Sequence, residues 1–150
     1  MKQPQALALE LNQLFPNPKI KAIGDFACCC FTLIWYLDID FSDIDAIMTV
    51  AKLINKKIDN EICLDNECTV HWYPIIKALT GRKLISISEK TVTSLKDIKG
   101  KAIVKFKNGE KIHWGGVKNK KVVFDSLGSS KTIEEGKPVL IKVLVIEGIK

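Results

Sequence analysis

The spacing of apolar residues changes period once, at Gly81, and that change constrains the fold more than any single motif. Before Gly81 apolar positions return every three or four residues; after it they alternate. Residues 5–14 place Ala6, Leu7, Leu9, Leu11 and Leu14 on a weak helical pattern that stops at Phe15-Pro16-Asn17-Pro18. The two prolines are expected to end that helix and to begin an extended lead-in to Gly24. From Cys28 to Leu37, the spacing Cys30, Leu33, Ile34, Leu37 predicts a helix with a core face. Ser42-Asp43-Ile44-Asp45 has the form of a capping box and announces a second buried-face helix carrying Ile44, Ile47, Met48, Ala51 and Ile54. A third is expected from about Val70 to Leu79, stopped by Gly81.

Beyond Gly81, KLISISE and AIVKFKNG read as alternating strands, the second ending in Asn-Gly. KIHWGGVKNKKVVFDSLG reads as two strands joined near Asn119, and KPVLIKVLVIEG as a last strand. Helices first and an antiparallel sheet last predict an α+β fold, with N-terminal helices packed on a C-terminal sheet. Residues 1–150 carry no repeat, linker or low-complexity tract and are expected to form one domain. A chain of that length buries roughly two-thirds of the surface its unfolded form exposes.

Charge and composition then exclude several classes. The net charge is +6, and Arg82 is the lone arginine among 23 basic residues. Scattered Lys serves solubility better than bidentate readout of bases or phosphates, so nucleic acid is not the expected partner. The longest apolar run, Phe26 to Leu37, is twelve residues. A bilayer span needs about 20, so no membrane role is expected. The N-terminal stretch lacks the pattern of a secretion signal. Five cysteines, three of them contiguous, do not suggest a disulfide framework, and a reducing, cytoplasmic setting is expected.

Three cysteines stand together in GDFACCCFTLIWYL, residues 24–37. Cys28 opens the predicted helix. There a thiolate is favoured by main-chain N–H groups and the positive end of the helix dipole, and the same N–H groups can serve an oxyanion. Free cysteine is also among the most buried residue types, and Cys29 and Cys30 are read as core packing. A nucleophilic thiol needs a base, and the hairpin around Asn119 offers one. A three-residue loop, Lys118-Asn119-Lys120, would set His113 directly opposite Asp125, within reach of a carboxylate–imidazole hydrogen bond. A two-residue loop would set His113 opposite Ser126 and turn Asp125 to the other face. A His oriented by an Asp is the proton-handling half of a nucleophilic triad.

The order of Cys28 at a helix start, His113 on one strand and Asp125 on the next resembles papain-like cysteine peptidases. It is similar to the compact bacterial type that processes double-glycine leader peptides, and more closely still to small phage- and bacteria-encoded papain-like proteins. The segments carrying the likeness are FACCCFTL, IDNEICLDNECTVHW and HWGGVKNKKVVFDSLGSSKTIEEGK, spanning roughly residues 24–137. The resemblance implies a papain-like fold and hydrolysis of a peptide or amide bond in a peptide or protein substrate. Cys28 would be nucleophile, His113 base and Asp125 its orienting carboxylate, with no cofactor and no metal. Papain-like enzymes commonly carry a Gln a few residues upstream of the nucleophile, and residues 19–27 hold none. That departure makes a catalytically inactive papain-like binding module of the phage-encoded kind the alternative.

Two further clusters have blander explanations. Cys63, Cys68 and His71 form a C-x4-C-x2-H run that lacks a clear fourth zinc ligand. DIDFSDID, at 38–45, lacks the glycine and closing glutamate of a calcium loop and is read as helix capping.

Overall fold

The computed structural model describes residues 1–55 and 72–148. In chain order they form helices α1 (Pro4–Leu14), α2 (Pro18–Phe26), α3 (Cys28–Tyr36), α4 (Asp43–Asn55) and α5 (Trp72–Thr80). Strand β1 (Leu84–Thr91), a single 3-10 turn (Leu95–Asp97), β2 (Lys101–Asn108), β3 (Lys111–Lys118), β4 (Lys121–Phe124), helix α6 (Lys131–Glu135) and β5 (Lys137–Ile146) follow. The five strands make one sheet in the order β1-β5-β2-β3-β4, every neighbouring pair antiparallel. The chain is therefore an α+β protein with α1–α5 at the N-terminal end and its sheet at the C-terminal end, the short α6 lying between β4 and β5.

The lead-in to Gly24 is helical, against expectation. Pro18 occupies the first turn of α2, where a missing N–H costs nothing, and the Asn17 side chain accepts from the N–H groups of Lys19 and Ile20. The second proline thus starts a helix. Gly24 permits α1 and α2 to touch closely, since a Cβ there would lie 2.8 Å from a Leu9 methyl. The capping box of α4 forms as expected: Asp45 N–H donates to Ser42 Oγ at 3.1 Å, and Ser42 N–H donates to Asp45 Oδ2 at 3.2 Å. Its buried face is rotated from the predicted one. Ala46, Ile47, Val50 and Leu53 are buried, whereas Ile44 and Met48 are exposed. Residues 70 and 71 and the side chain of Ile54 lie outside the described residues.

Alternation along the strands divides the sheet's side chains between two apolar clusters. Ile103, Trp114, Phe124, Leu144 and Ile146 pack with the helices, Cys29, Cys30, Phe31, Leu33 and Ile34 among them. Ala102, Val104, Phe106 and Val117 face the other way and are covered by Val92, Leu95, Ile98 and Ile133. Helix α3 lies directly on β3. Gly116 makes that possible, because a Cβ there would stand 2.5 Å from the Trp35 ring, which instead stacks on Phe124 with centroids 6.0 Å apart.

Candidate active site

Cys28 is the first residue of α3, with Ala27 closing α2 and opening α3 in one step. Its neighbours behave as the packing reading requires. Cys29 and Cys30 are buried, and burial pushes the Cys30 thiol up to about 12. Cys28 itself is 1% exposed, yet it lines a cavity of about 360 Å³ together with His113. Phe26, Ile112, Leu127 and Thr132 supply apolar surface to that cavity, and Asp25, Glu110 and Lys111 stand in its wall. Asp25 is paired with Lys21, one turn earlier on α2, at 2.5 Å.

The cavity opens at an edge of the sheet. Strand β4 pairs only with Gly116, Val117 and Lys118 of β3, so on that side β3 has no strand partner from Lys111 to Gly115 among the described residues. Successive strand residues point to opposite faces, so a cavity touched by Lys111, Ile112 and His113 in succession must face the strand's edge. The turn Gly109-Glu110 makes Asn108 and Lys111 the first bonded pair with β2. Lys111 and His113 then direct their main-chain groups toward β2, and Ile112 directs its own toward the cavity.

His113 and Asp125 meet, but by a route the hairpin arithmetic did not contain. The loop has two residues, Asn119 and Lys120, both with positive φ (52° and 71°), so Lys118 pairs with Lys121 and Val117 with Val122. On its own that register turns Asp125 to the wrong face. A β-bulge corrects it: Gly116 pairs with Phe124, leaving Val123 over as the extra residue. The one-residue shift brings Asp125, just beyond the end of β4, onto the face of His113 as its diagonal neighbour. Gly115 lies on that face, and the space a side chain would fill there is already occupied by Ile133 and Phe106.

The resulting bond is short and enclosed. His113 Nε2 lies 2.8 Å from Asp125 Oδ1, and both side chains are buried. Burial pushes the Asp125 carboxyl up, but the hydrogen bond and positive charge of His113 outweigh it. Bonds from the Ser130 side chain and the Leu127 N–H help, and the carboxyl titrates below its ordinary range. With Nε2 committed to the carboxylate, Nδ1 is the ring nitrogen left to exchange a proton with a thiol.

Sequence reasoning missed three buried polar side chains, Thr32, Gln5 and Ser126, whose bonds tie together the segments that carry Cys28, His113 and Asp125. Thr32 Oγ1 donates to Cys28 O at 2.7 Å and reaches Trp114 O at 3.3 Å, so one hydroxyl joins Cys28 to the strand position after His113. Gln5 and Ser126 are buried together, with Ser126 Oγ donating to Gln5 Oε1 at 2.6 Å. No glutamine stands just upstream of Cys28, but α1 delivers one, Gln5, to the cavity wall. For Gln5 the sequence offered only a lone polar residue at the start of a helix, which is no signal by itself.

The C-x4-C-x2-H run, with Cys63, Cys68 and His71, lies outside the described residues. Among the described residues no three His, Cys, Asp or Glu side chains gather as metal ligands. Three of the four aspartates of 38–45 are engaged in capping and pairing: Asp38 with Lys101 at 2.8 Å, Asp43 with the N–H groups of Lys2 and Gln3, and Asp45 with Ser42. Among the described residues no helix is long and apolar enough to cross a membrane.

No protein-family model, curated protein or solved structure matches this chain.

Proposed function

We propose that this protein hydrolyses a peptide or related amide bond with Cys28 as nucleophile, His113 as acid and base, and Asp125 as the group that orients His113. The observation that carries the reading is the enclosed His113–Asp125 bond sharing a cavity wall with a cysteine at the start of a helix.

In the proposed reaction, His113 Nδ1 takes the thiol proton and the sulfur attacks the substrate carbonyl carbon. Main-chain N–H groups in the first turn of α3 favour the oxyanion that forms there. As the C–N bond breaks, the imidazolium returns its proton to the leaving amine, which leaves an acyl thioester on Cys28. Water then attacks the thioester while His113 takes one of its protons. The thiol leaves reprotonated and the acid product is released. The open edge of β3 suits an extended peptide, which Ile112 would hold by main-chain hydrogen bonds.

Iodoacetamide labelling at neutral pH with peptide mapping tests the assignment. Cys28 is expected to react faster than Cys63 and Cys68, and His113→Ala is expected to remove that advantage. Equal rates for the three thiols would end the nucleophile assignment.

A second reading has one observation in its favour, the 1% exposure of Cys28. In it the same cavity and edge hold a peptide without cleaving it. Peptide binding with no His113-dependent thiol reactivity would select this reading over the first.

A further inference from the structure

The first turn of α1 reaches two places that the proposed chemistry needs held together. Gln5 is 3% exposed and lines the cavity beside Cys28 and His113. Its Nε2 donates to Gly24 O at 2.8 Å, and its Oε1 accepts from Ser126 Oγ at 2.6 Å. The main-chain N–H groups of Gln5 and Ala6 both donate to Ser126 O, at 2.9 and 3.2 Å.

Each of these partners has a defined place beside the reacting groups. Gly24 stands four residues before Cys28, so its carbonyl is the acceptor an uninterrupted helix would offer to the Cys28 N–H. A side-chain amide bonded to that carbonyl favours the break at Ala27 that lets α3 begin at Cys28. Ser126 follows Asp125 directly, and three hydrogen bonds join it to the same turn of α1, two accepted by its carbonyl and one donated by its hydroxyl. An amide is suited to the task because it donates at one end and accepts at the other, which neither a carboxylate nor an alkyl chain does.

We propose that Gln5 is a positioning residue that clamps the helix break at Cys28 to the Asp125 loop, thereby setting the placement of the thiol relative to His113. The proposal rests on the peptidase reading of Cys28 and His113. Gln5 acts through Gly24 and Ser126 and takes no part in bond making. The clamp joins segments 121 residues apart in the chain, so it sets a separation that neither helix nor sheet geometry fixes alone.

The test uses the full chain and two variants. Gln5→Met keeps the length of the side chain and loses both amide bonds; Ser126→Ala removes one hydroxyl. The readouts are the pH profile of Cys28 alkylation by iodoacetamide, the NMR resonance of the His113 Nε2 proton, and labelling of the buried Cys30. Asp25, Glu110 and Lys111, the other charged groups of the cavity wall, are unchanged in both variants.

Gln5→Met is expected to slow Cys28 alkylation at pH 7 about tenfold, the change that one pKa unit produces in the reactive fraction. The His113 proton resonance should move with it, and Cys30 should stay protected. Ser126→Ala is expected to slow the reaction about threefold, and the double variant should be no slower than Gln5→Met, because both changes break one connection. Unchanged profiles in the variants would overturn the clamp, as would slowing accompanied by labelling of Cys30, which reports general loosening. Should Gln5→Met fail to fold, Ser126→Ala decides by the same criteria. A wild-type Cys28 whose reactivity does not depend on His113 would instead overturn the peptidase reading, so the two failures are told apart.

Discussion

His113 Nε2 and Asp125 Oδ1 stand 2.8 Å apart although the two residues are not directly opposed across the hairpin; the bulge at Val123 brings them together as diagonal neighbours. The pair is buried, so its bond has no ready substitute in solvent. Replacing Asp125 by Ala leaves a ring N–H enclosed without that acceptor, and the expected loss of stability is about 1–3 kcal/mol. Chemical denaturation at pH 7 measures it. Equal stability of the variant and the parent would show that the bond contributes nothing net.

The same pair makes that difference depend on pH. Asp125 titrates below its ordinary range in the folded protein. A carboxyl of this kind contributes its stability above the unfolded pKa of about 3.9 and loses it as pH falls through the folded value. The gap between the parent and Asp125→Asn is therefore expected to be fully present at pH 6 and to narrow below about pH 4. A gap that widened on acidification would contradict the assignment of His113 as the group holding the carboxyl down.

The three adjacent cysteines should separate chemically. Cys30 is pushed up to about 12 by burial, and Cys29 has no exposed surface. Neither is expected to react with iodoacetamide at pH 8 until guanidinium unfolds the chain. Mass mapping that finds Cys30 labelled in the folded protein would show that the core around α3 is looser than its packing indicates.

Close packing of α3 on β3 makes Gly116 a sensitive position. A methyl group there would stand 2.5 Å from the Trp35 ring, against which the sheet is packed. Gly116→Ala is expected to cost about 1–3 kcal/mol as the ring is displaced. The melting temperature should fall and the near-ultraviolet circular dichroism of the tryptophans should change. An unshifted melting curve would mean that Trp35 moves aside freely.

The start of α2 gives a test of how local capping supports the site. The Asn17 side chain bonds the N–H groups of Lys19 and Ile20, at 3.0 and 3.2 Å. Asn17→Ala is expected to cost about 0.5–2 kcal/mol, and Asn17→Asp to restore most of it. Hydrogen exchange at Ile20 and Lys21 is the local readout. Protection unchanged in the Ala variant would show that packing alone holds the helix.

The sequence was most readable where neighbouring residues decide the outcome. The capping box at Ser42 and Asp45 formed because its two bonds lie within one turn, and the alternation in KLISISE and AIVKFKNG became β1 and β2 because pleat geometry imposes a period of two. Pro18 was misread for a related reason. A proline is compatible with stopping one helix and with starting the next, and the Asn17 cap decided between them. The buried face of α4 was misjudged because Ile44 and Met48 fit a helical stripe as well as Ala46 and Val50 do, and only the helices packed on α4, α1 and α2 foremost, select which stripe is covered.

The candidate site divides along the same line. The residue types and their chain order were legible: a thiol at a helix start, then an imidazole, then a carboxyl beyond a turn. Periodicity determined by itself that helices would precede an antiparallel sheet, since both periods arise from backbone geometry within a few residues. Only the tertiary structure decided that the hairpin takes a two-residue turn with a bulge, and that Gln5, Thr32 and Ser126 tie together the segments carrying the thiol, the imidazole and the carboxyl. The bonds of Thr32 and Ser126 join residues more than eighty positions apart in the chain, contacts that exist only once the layers have packed.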